Sequence, residues 1–112
     1  MQASGIIISI RPEHVDNILS GRKTVELRRR FPQVVSTGGV MLIYASSPVQ
    51  ALVGAVQIEA VKQMTPRGLW RAFKDKACVT RDLFDAYFAG TNEGFGVVLG
   101  NFVHFDTPLK LI

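Results

Sequence analysis

The stretch Ile6–Arg28, IIISIRPEHVDNILSGRKTVELR, decides how the rest of the chain is read. Ile6 to Ile10 is a short apolar, β-branched run with the character of a central strand. Arg11 leaves it, and Pro12 suits the first position of a helix, where a missing N–H costs nothing and φ is already helical. Val15, Ile18 and Leu19 then recur at helical spacing, and Gly21 is placed to stop the helix in a left-handed conformation. This predicts a helix of about two to three turns, its apolar stripe packed on a sheet and Glu13, Asp16 and Asn17 toward solvent. From Thr24 to Arg28 the pattern alternates, with Val25 and Leu27 on one face and Thr24, Glu26 and Arg28 on the other, which predicts a half-buried strand.

Outward from this segment, Pro32 closes the strand, and Ser36, Thr37, Gly38 and Gly39 mark a loop before a second apolar strand over Val40 to Tyr44. Pro48 puts Ser46 and Ser47 in a turn at that strand's end. Residues 51 to 63 read as one long strand in which Gly54 marks a bend or bulge. Thr65-Pro66 starts a helix with Leu69, Trp70 and Phe73 on its apolar side, and Thr80 caps another carrying Leu83, Phe84, Tyr87 and Phe88, which Gly90 stops. Phe95 to Phe105 is strand-like, with Gly100 and Asn101 as a tight turn, and Pro108 to Ile112 adds a final edge strand. Strands that outnumber helices, several with internal glycines, predict an α+β closed or nearly closed β-barrel of about five to six strands with about three short helices. No repeat or linker divides residues 1–112, which read as a single domain.

Hydrophobic residues make up 47% and charged residues 20% of the 112, ordinary values for a globular chain. The lone Cys78 cannot form an intramolecular disulfide, and it sits beside Ala77 and Val79 as a buried inert thiol would. His14 and His104 lie far apart, so no zinc-ligand spacing exists; we expect no metal and no cofactor, and assign neither histidine a catalytic role. No signal sequence or apolar run of membrane-spanning length is present, so a cytoplasmic protein with no membrane partner is expected. The net charge of +4 is unevenly spread: Arg11, Arg22, Lys23, Arg28, Arg29 and Arg30 fall within residues 11–30, and six more bases within residues 62–81. Such a distribution fits either two solvated faces or an electrostatic footprint for nucleic acid.

The strand, the Pro-led helix and the G-x-K-T-x-E-x-R order formed by Gly21, Lys23, Thr24, Glu26 and Arg28 together resemble the signature of the ASCH superfamily. Tyr44-Ala45-Ser46-Ser47-Pro48, the Gly54 strand, the two-helix insert and Gly94-Phe95-Gly96 are similar to its small prokaryotic branch, so the likeness runs through most of the chain. The resemblance implies a PUA-like barrel whose cleft binds RNA, with some members acting as ribonucleases and one short branch hydrolysing acetylated cytidine. It places Lys23, Glu26 and Arg28 in the cleft and puts Arg11 where many relatives have lysine. The leading glycine of a P-loop is missing, which argues against a nucleotide triphosphatase.

Chemistry adds detail to that implication. A guanidinium offers planar, bidentate donors to phosphate, whereas Lys23 offers a point charge whose pKa moves if it is buried. Glu26 and Arg28 share a strand face and either orient each other beside a ligand or form a surface ion pair worth little. Alternation continued through Arg28-Arg29-Arg30-Phe31 puts Arg28 and Arg30 on one face and keeps the three arginines from one common ligand. Phe31 either stacks on a base or lids the barrel, and Tyr44 is either a stacking platform or a core tyrosine. Ser46 and Ser47 either donate to phosphate or satisfy the turn. Trp70, Phe73, Phe84 and Phe88 have the spacing of core residues. The expected ligand is RNA or a nucleotide, held by Arg11, Lys23, Arg28, Arg30, Tyr44, Ser46 and Ser47. If the cleft is catalytic, Lys23 and Glu26 exchange the protons and Arg28 steadies the phosphate. Deacetylation of a nucleoside is disfavoured, because Glu26 stands where that branch carries threonine and Lys74, Asp75 and Lys76 leave its helical-insert acid ambiguous. A non-catalytic adaptor is the third class, and no recognition helix for duplex DNA is evident.

Overall fold

A computed structural model describes residues 5–32 and 37–111. Its elements are β1 (Gly5–Ile10), α1 (Pro12–Leu19), β2 (Val25–Arg28), β3 (Val40–Ala45), β4 (Ala51–Met64), α2 (Pro66–Phe73), α3 (Arg81–Phe88) and β5 (Gly94–Leu109). The order matches the sequence reading because the local signals act where expected. Pro12 opens α1, and Gly21 follows it at φ +82°. Thr65 Oγ1 accepts from Gly68 N at 3.1 Å and Thr80 Oγ1 from Leu83 N at 3.2 Å, each satisfying an N–H that the helix itself leaves free. Gly90 ends α3 at φ +75°. Of the loop read at residues 36–39, Ser36 lies outside the described residues, as does Ile112 at the end of the last segment.

The five strands form one mixed sheet in the order β1-β3-β4-β5-β2. β1 runs parallel to β3, pairing Ile8 with Ile43, while β3-β4, β4-β5 and β5-β2 are antiparallel. β1 is therefore an edge strand and not the central strand its apolar run suggested: Ile8 and Ile10 are buried, and Ile7 is half exposed. β1 and β2 stand at opposite ends of the order with no ladder between them among the described residues, so the barrel is not closed. α1, which carries the chain from β1 to β2, packs Val15 and Ile18 into one core cluster with Ile8, Ile10, Met41, Ile43 and Val56. Side chains of a helix, not hydrogen bonds, cover this side of the sheet. Leu19, expected on the same stripe, is exposed.

β5 also departs from expectation. Gly100 and Asn101 make no turn; the strand continues past them, with one extra residue between the pairs Val56↔Phe102 and Ile58↔Leu99. This is a bulge, and a Cβ on Gly100 would stand 3.2 Å from Gln57 O. The segment expected as a separate edge strand begins inside β5, which reaches Leu109, opposite Leu52. Gly54 lies at another irregularity, and a Cβ there would meet Val103 O at 2.6 Å and Phe102 Cζ at 2.7 Å. Because one neighbour is backbone, the strands must part to admit a methyl group. Gly54→Ala is expected to cost about 1–3 kcal/mol of stability, read as a lowered urea midpoint at unchanged m-value.

A second core cluster joins Val25 of β2 to Leu69 and Phe73 of α2 and Phe84 and Phe88 of α3. The insert helices thereby flank β2 and the start of β5, and this is what builds the site. No helix among the described residues is long and apolar enough to cross a membrane.

Candidate functional site

Lys23 is where the chain leaves α1 and commits to β2. Its N–H donates to Asn17 O at 2.9 Å; the next two N–H groups, of Thr24 and Val25, both donate to Lys76 O, and Thr24 O accepts from Leu99 N. Clamped between β5 and the α2–α3 connection, Lys23 is only 3% exposed, and Nζ donates to Ala77 O at 2.7 Å. Nζ also stands 3.3 Å from Glu26 Oε1, while Arg28 Nη1 stands 3.3 Å from Oε2. Glu26 is 7% exposed. Of the two readings of these charges, a surface ion pair and a pair set within a cleft, the burial of Lys23 and Glu26 excludes the first, and β2 is covered on both faces instead of one. An ion pair so placed must recover a large desolvation cost through its contacts, which explains why each of these charged groups has a named partner.

This Lys23-Glu26-Arg28 chain forms part of the wall of an open cleft of about 340 Å³. Ser9, Ile10, Arg11 and His14 contribute from the end of β1 and the first turn of α1, and Leu27 from β2. The remaining wall is Val79 together with Leu83, Phe84, Tyr87 and Phe88 of α3. Phe84 and Phe88 thus serve the core and the cleft at once, their rings 4.7 Å apart, with Tyr87 set edge-on to Phe88 at 4.9 Å. A cationic, hydrogen-bonding side faces an aromatic one.

The expected binding set is only partly gathered. Arg11, Lys23, Glu26 and Arg28 meet in the cleft. Tyr44, Ser46 and Ser47 lie near the same end of β1, since Tyr44 pairs with Ser9 and Ser46 N donates to Ile10 O, but they do not line it. Ser47 Oγ accepts from Gln50 Nε2 within its own turn. Asp75 is exposed between two exposed lysines and supplies no acid to the cleft. Phe31 is buried in the core beside Phe95. Trp70 packs edge-on to Phe84 beneath Arg81. Cys78 is partly buried, at φ +55°, and free.

Alternation fails after Arg28. The β2-β5 ladder ends at Arg28↔Phe95, and Arg29 and Arg30 leave the strand ahead of Pro32, whose ring restricts the preceding backbone. Arg28, Arg29 and Arg30 consequently border one groove, of about 520 Å³, together with Tyr87, Gly90 and Thr91. Arg28 and Arg30 share a side as alternation suggested, and Arg29, expected to point the other way, borders the same groove.

The sequence reading assigned His14 no catalytic role, and the structure places it in the cleft wall. One helical turn beyond Arg11, it shares that residue's side of α1, and this i, i+3 spacing was the available signal. Its Nδ1 is buried with no hydrogen-bond partner among the described residues. Burial, then the Lys23 ammonium, holds its pKa below the ordinary 6.5; Arg11 adds to this, and Glu26 and Glu13 oppose it. The folded protein thus takes up this proton at lower pH than the unfolded chain. His14's contribution to stability is present above about pH 6.5 and is lost as pH falls through the lowered folded value. His14→Gln should make the urea midpoint fall less between about pH 7.5 and about pH 5.5 than it does in the parent protein. Among the described residues no three His, Cys, Asp or Glu side chains are grouped to hold a metal ion.

Comparison with known proteins agrees with this architecture. Residues 3–111 match the family model described as a domain of unknown function, DUF365. An ASCH domain-containing ribonuclease of Zymomonas mobilis is 34% identical over 93 residues, which cover 83% of this chain; the match spans 62% of the length of that relative. The crystal structure of ASCH from Zymomonas mobilis superimposes with a TM-score of 0.85 at 32% identity, over 94% of this chain and 72% of that one. The N-terminal domain of Staphylothermus marinus McrB shares the fold at a TM-score of 0.54 and 15% identity, covering 98% of this chain and 81% of its own. By sequence and by structure, the chain belongs to the DUF365 family and to the ASCH domain family represented by the Zymomonas mobilis protein.

Proposed function

We propose that the cleft binds single-stranded RNA, taking a base against α3 and the adjoining phosphate against the cations of β2 and α1. The observation that carries this reading is the two-sided cleft itself. Tyr87, backed by the buried ring of Phe84 and beside exposed Leu83, supplies the aromatic and apolar surface against which an unstacked base can lie, in a cleft that Arg11 and Arg28 also line. The ribonuclease of the same family supports RNA as the ligand class. Anisotropy of a labelled single-stranded RNA should show affinity falling with salt at about −0.7 in log-log slope per phosphate contact, for about two to five contacts. Arg28→Ala should weaken binding roughly tenfold or more, since the side chain borders both the cleft and the arginine groove. Binding that is absent at low salt, or indifferent to salt, counts against the reading.

A second reading, metal-independent cleavage of the bound RNA, is favoured by one arrangement: a cleft imidazole with an unpartnered Nδ1 and a depressed pKa beside a buried lysine-glutamate pair. Both Glu26 oxygens already face cations, so Glu26 suits the orienting of Lys23 and Arg28 more than the taking of a proton. His14 is the free base of the cleft.

A further inference from the structure

Resting on the reading of the cleft as an RNA site, we propose that the groove of Arg28, Arg29 and Arg30 is a second, phosphate-holding subsite, so that the ligand is a polynucleotide strand and not a free nucleoside or mononucleotide. The two depressions share Arg28 and Tyr87 and are therefore contiguous. They differ in chemistry. The cleft has an aromatic and aliphatic side, whereas the groove is bordered by three guanidinium groups, one phenol ring, Gly90 and Thr91, with no carboxylate. Among the described residues Arg29 and Arg30 form no ion pair, although Arg28 and Arg81 each have a carboxylate partner. Arg28 is balanced by Glu26, so Arg29 and Arg30 bring two uncompensated cations to one groove, and a phosphodiester accepts the paired donors of a guanidinium.

Tyr87 fixes the geometry. Its hydroxyl accepts from Arg29 N at 3.1 Å, and its ring lies under the Arg29 guanidinium, 5.1 Å from the ring centroid. The side chain is thereby held against α3 at the point where cleft and groove meet. A strand that enters the cleft beside Tyr87 continues into the groove, because both depressions share Tyr87 and Arg28. A nucleoside has nothing to offer the groove.

The test titrates four probes into the full chain: adenosine, adenosine 5′-monophosphate, the 5′-phosphorylated diadenosine dinucleotide and a single-stranded octa-adenylate RNA. The parent protein should gain affinity at each step that adds a phosphate. Arg29→Gln and Arg30→Gln together should weaken the octamer by about tenfold to a hundredfold and flatten its salt slope by about 0.7 per lost contact, leaving mononucleotide affinity within about twofold. Both side chains are exposed, and the Arg29 backbone contact to Tyr87 survives substitution, so an unchanged circular dichroism spectrum is expected. Octamer affinity and salt slope that match the parent overturn the subsite while leaving the cleft reading in place. So does an equal loss for mononucleotide and octamer. Polyaspartate displacing the octamer at equal charge concentration shows a generic cationic surface and also overturns it. Failure of every probe to bind the parent overturns the subsite and the RNA cleft together.

Discussion

Lys23→Met is expected to destabilise the protein by about 3 kcal/mol, the low end for removing one member of a buried ion pair. Lys23 is 3% exposed and its ammonium donates to Ala77 O and faces Glu26, so the substitution leaves a carbonyl without its donor and a carboxylate without one of its two cations. Arg28 still holds the other carboxylate oxygen, which is why the upper end is not reached. Against a total of about 5–15 kcal/mol for an ordinary domain this is a large fraction. Adding Glu26→Gln to Lys23→Met should recover at least half of the loss, because the uncompensated charge has gone and the side chain keeps its shape. Urea unfolding of the single and double variants measures both. If Lys23→Met alone changes stability by less than about 1 kcal/mol, the pair is solvated after all, as an exposed ion pair would be.

That burial could not be read from the sequence, and the reason is instructive. The start of each helix was legible because its signals are local: Pro12, Thr65-Pro66 and Thr80 act on their own backbone. Lys23 becomes buried only because residues 76–77, more than fifty positions later, close over it and accept from Thr24, Val25 and Nζ. The same holds for closure of the barrel. Alternation and internal glycines specify strands and bulges, but whether β1 meets β2 depends on where α1 lies, and that is a matter of packing. The cleft divides along this line as well. Arg11, Lys23, Glu26 and Arg28 follow from one short motif, while the wall of Leu83, Phe84 and Tyr87 comes from a helix whose spacing reads as core. Phe84 and Phe88 are core, and they are also the wall. Arg29 was misread differently: alternation was carried past the last ladder pair, Arg28↔Phe95, where no partner strand enforces it.

The cleavage reading makes the largest functional prediction, and it turns on His14. In a metal-independent cleavage the ribose 2′-hydroxyl attacks the adjacent phosphorus and gives its proton to a base. The bond from phosphorus to the 5′-oxygen breaks, that oxygen takes a proton, and a 2′,3′-cyclic phosphate remains. In this reading neutral His14 would supply the base, Lys23 the proton for the departing oxygen and Arg28 the charge that steadies the phosphorane, all three lining one cleft. Because burial and Lys23 hold the His14 pKa below 6.5, the imidazole stays ready to accept a proton at neutral pH. The rate should hold as pH falls to about 6.5 and drop only as it passes through the lowered value. His14→Gln is expected to reduce turnover of single-stranded RNA, measured in the presence of a chelator, by about 10²–10⁴ and to abolish that acid limb. RNA affinity by anisotropy should stay within about twofold, since a neutral group is exchanged for a neutral group at a site where phosphate is held by arginines. RNA methylated at the 2′-oxygen should bind and resist cleavage. Turnover that survives unchanged in His14→Gln removes this residue as the base. No turnover in the parent protein under the same conditions removes the cleavage reading and leaves RNA binding as the proposal, with the buried Lys23-Glu26 pair shaping the cleft without exchanging protons.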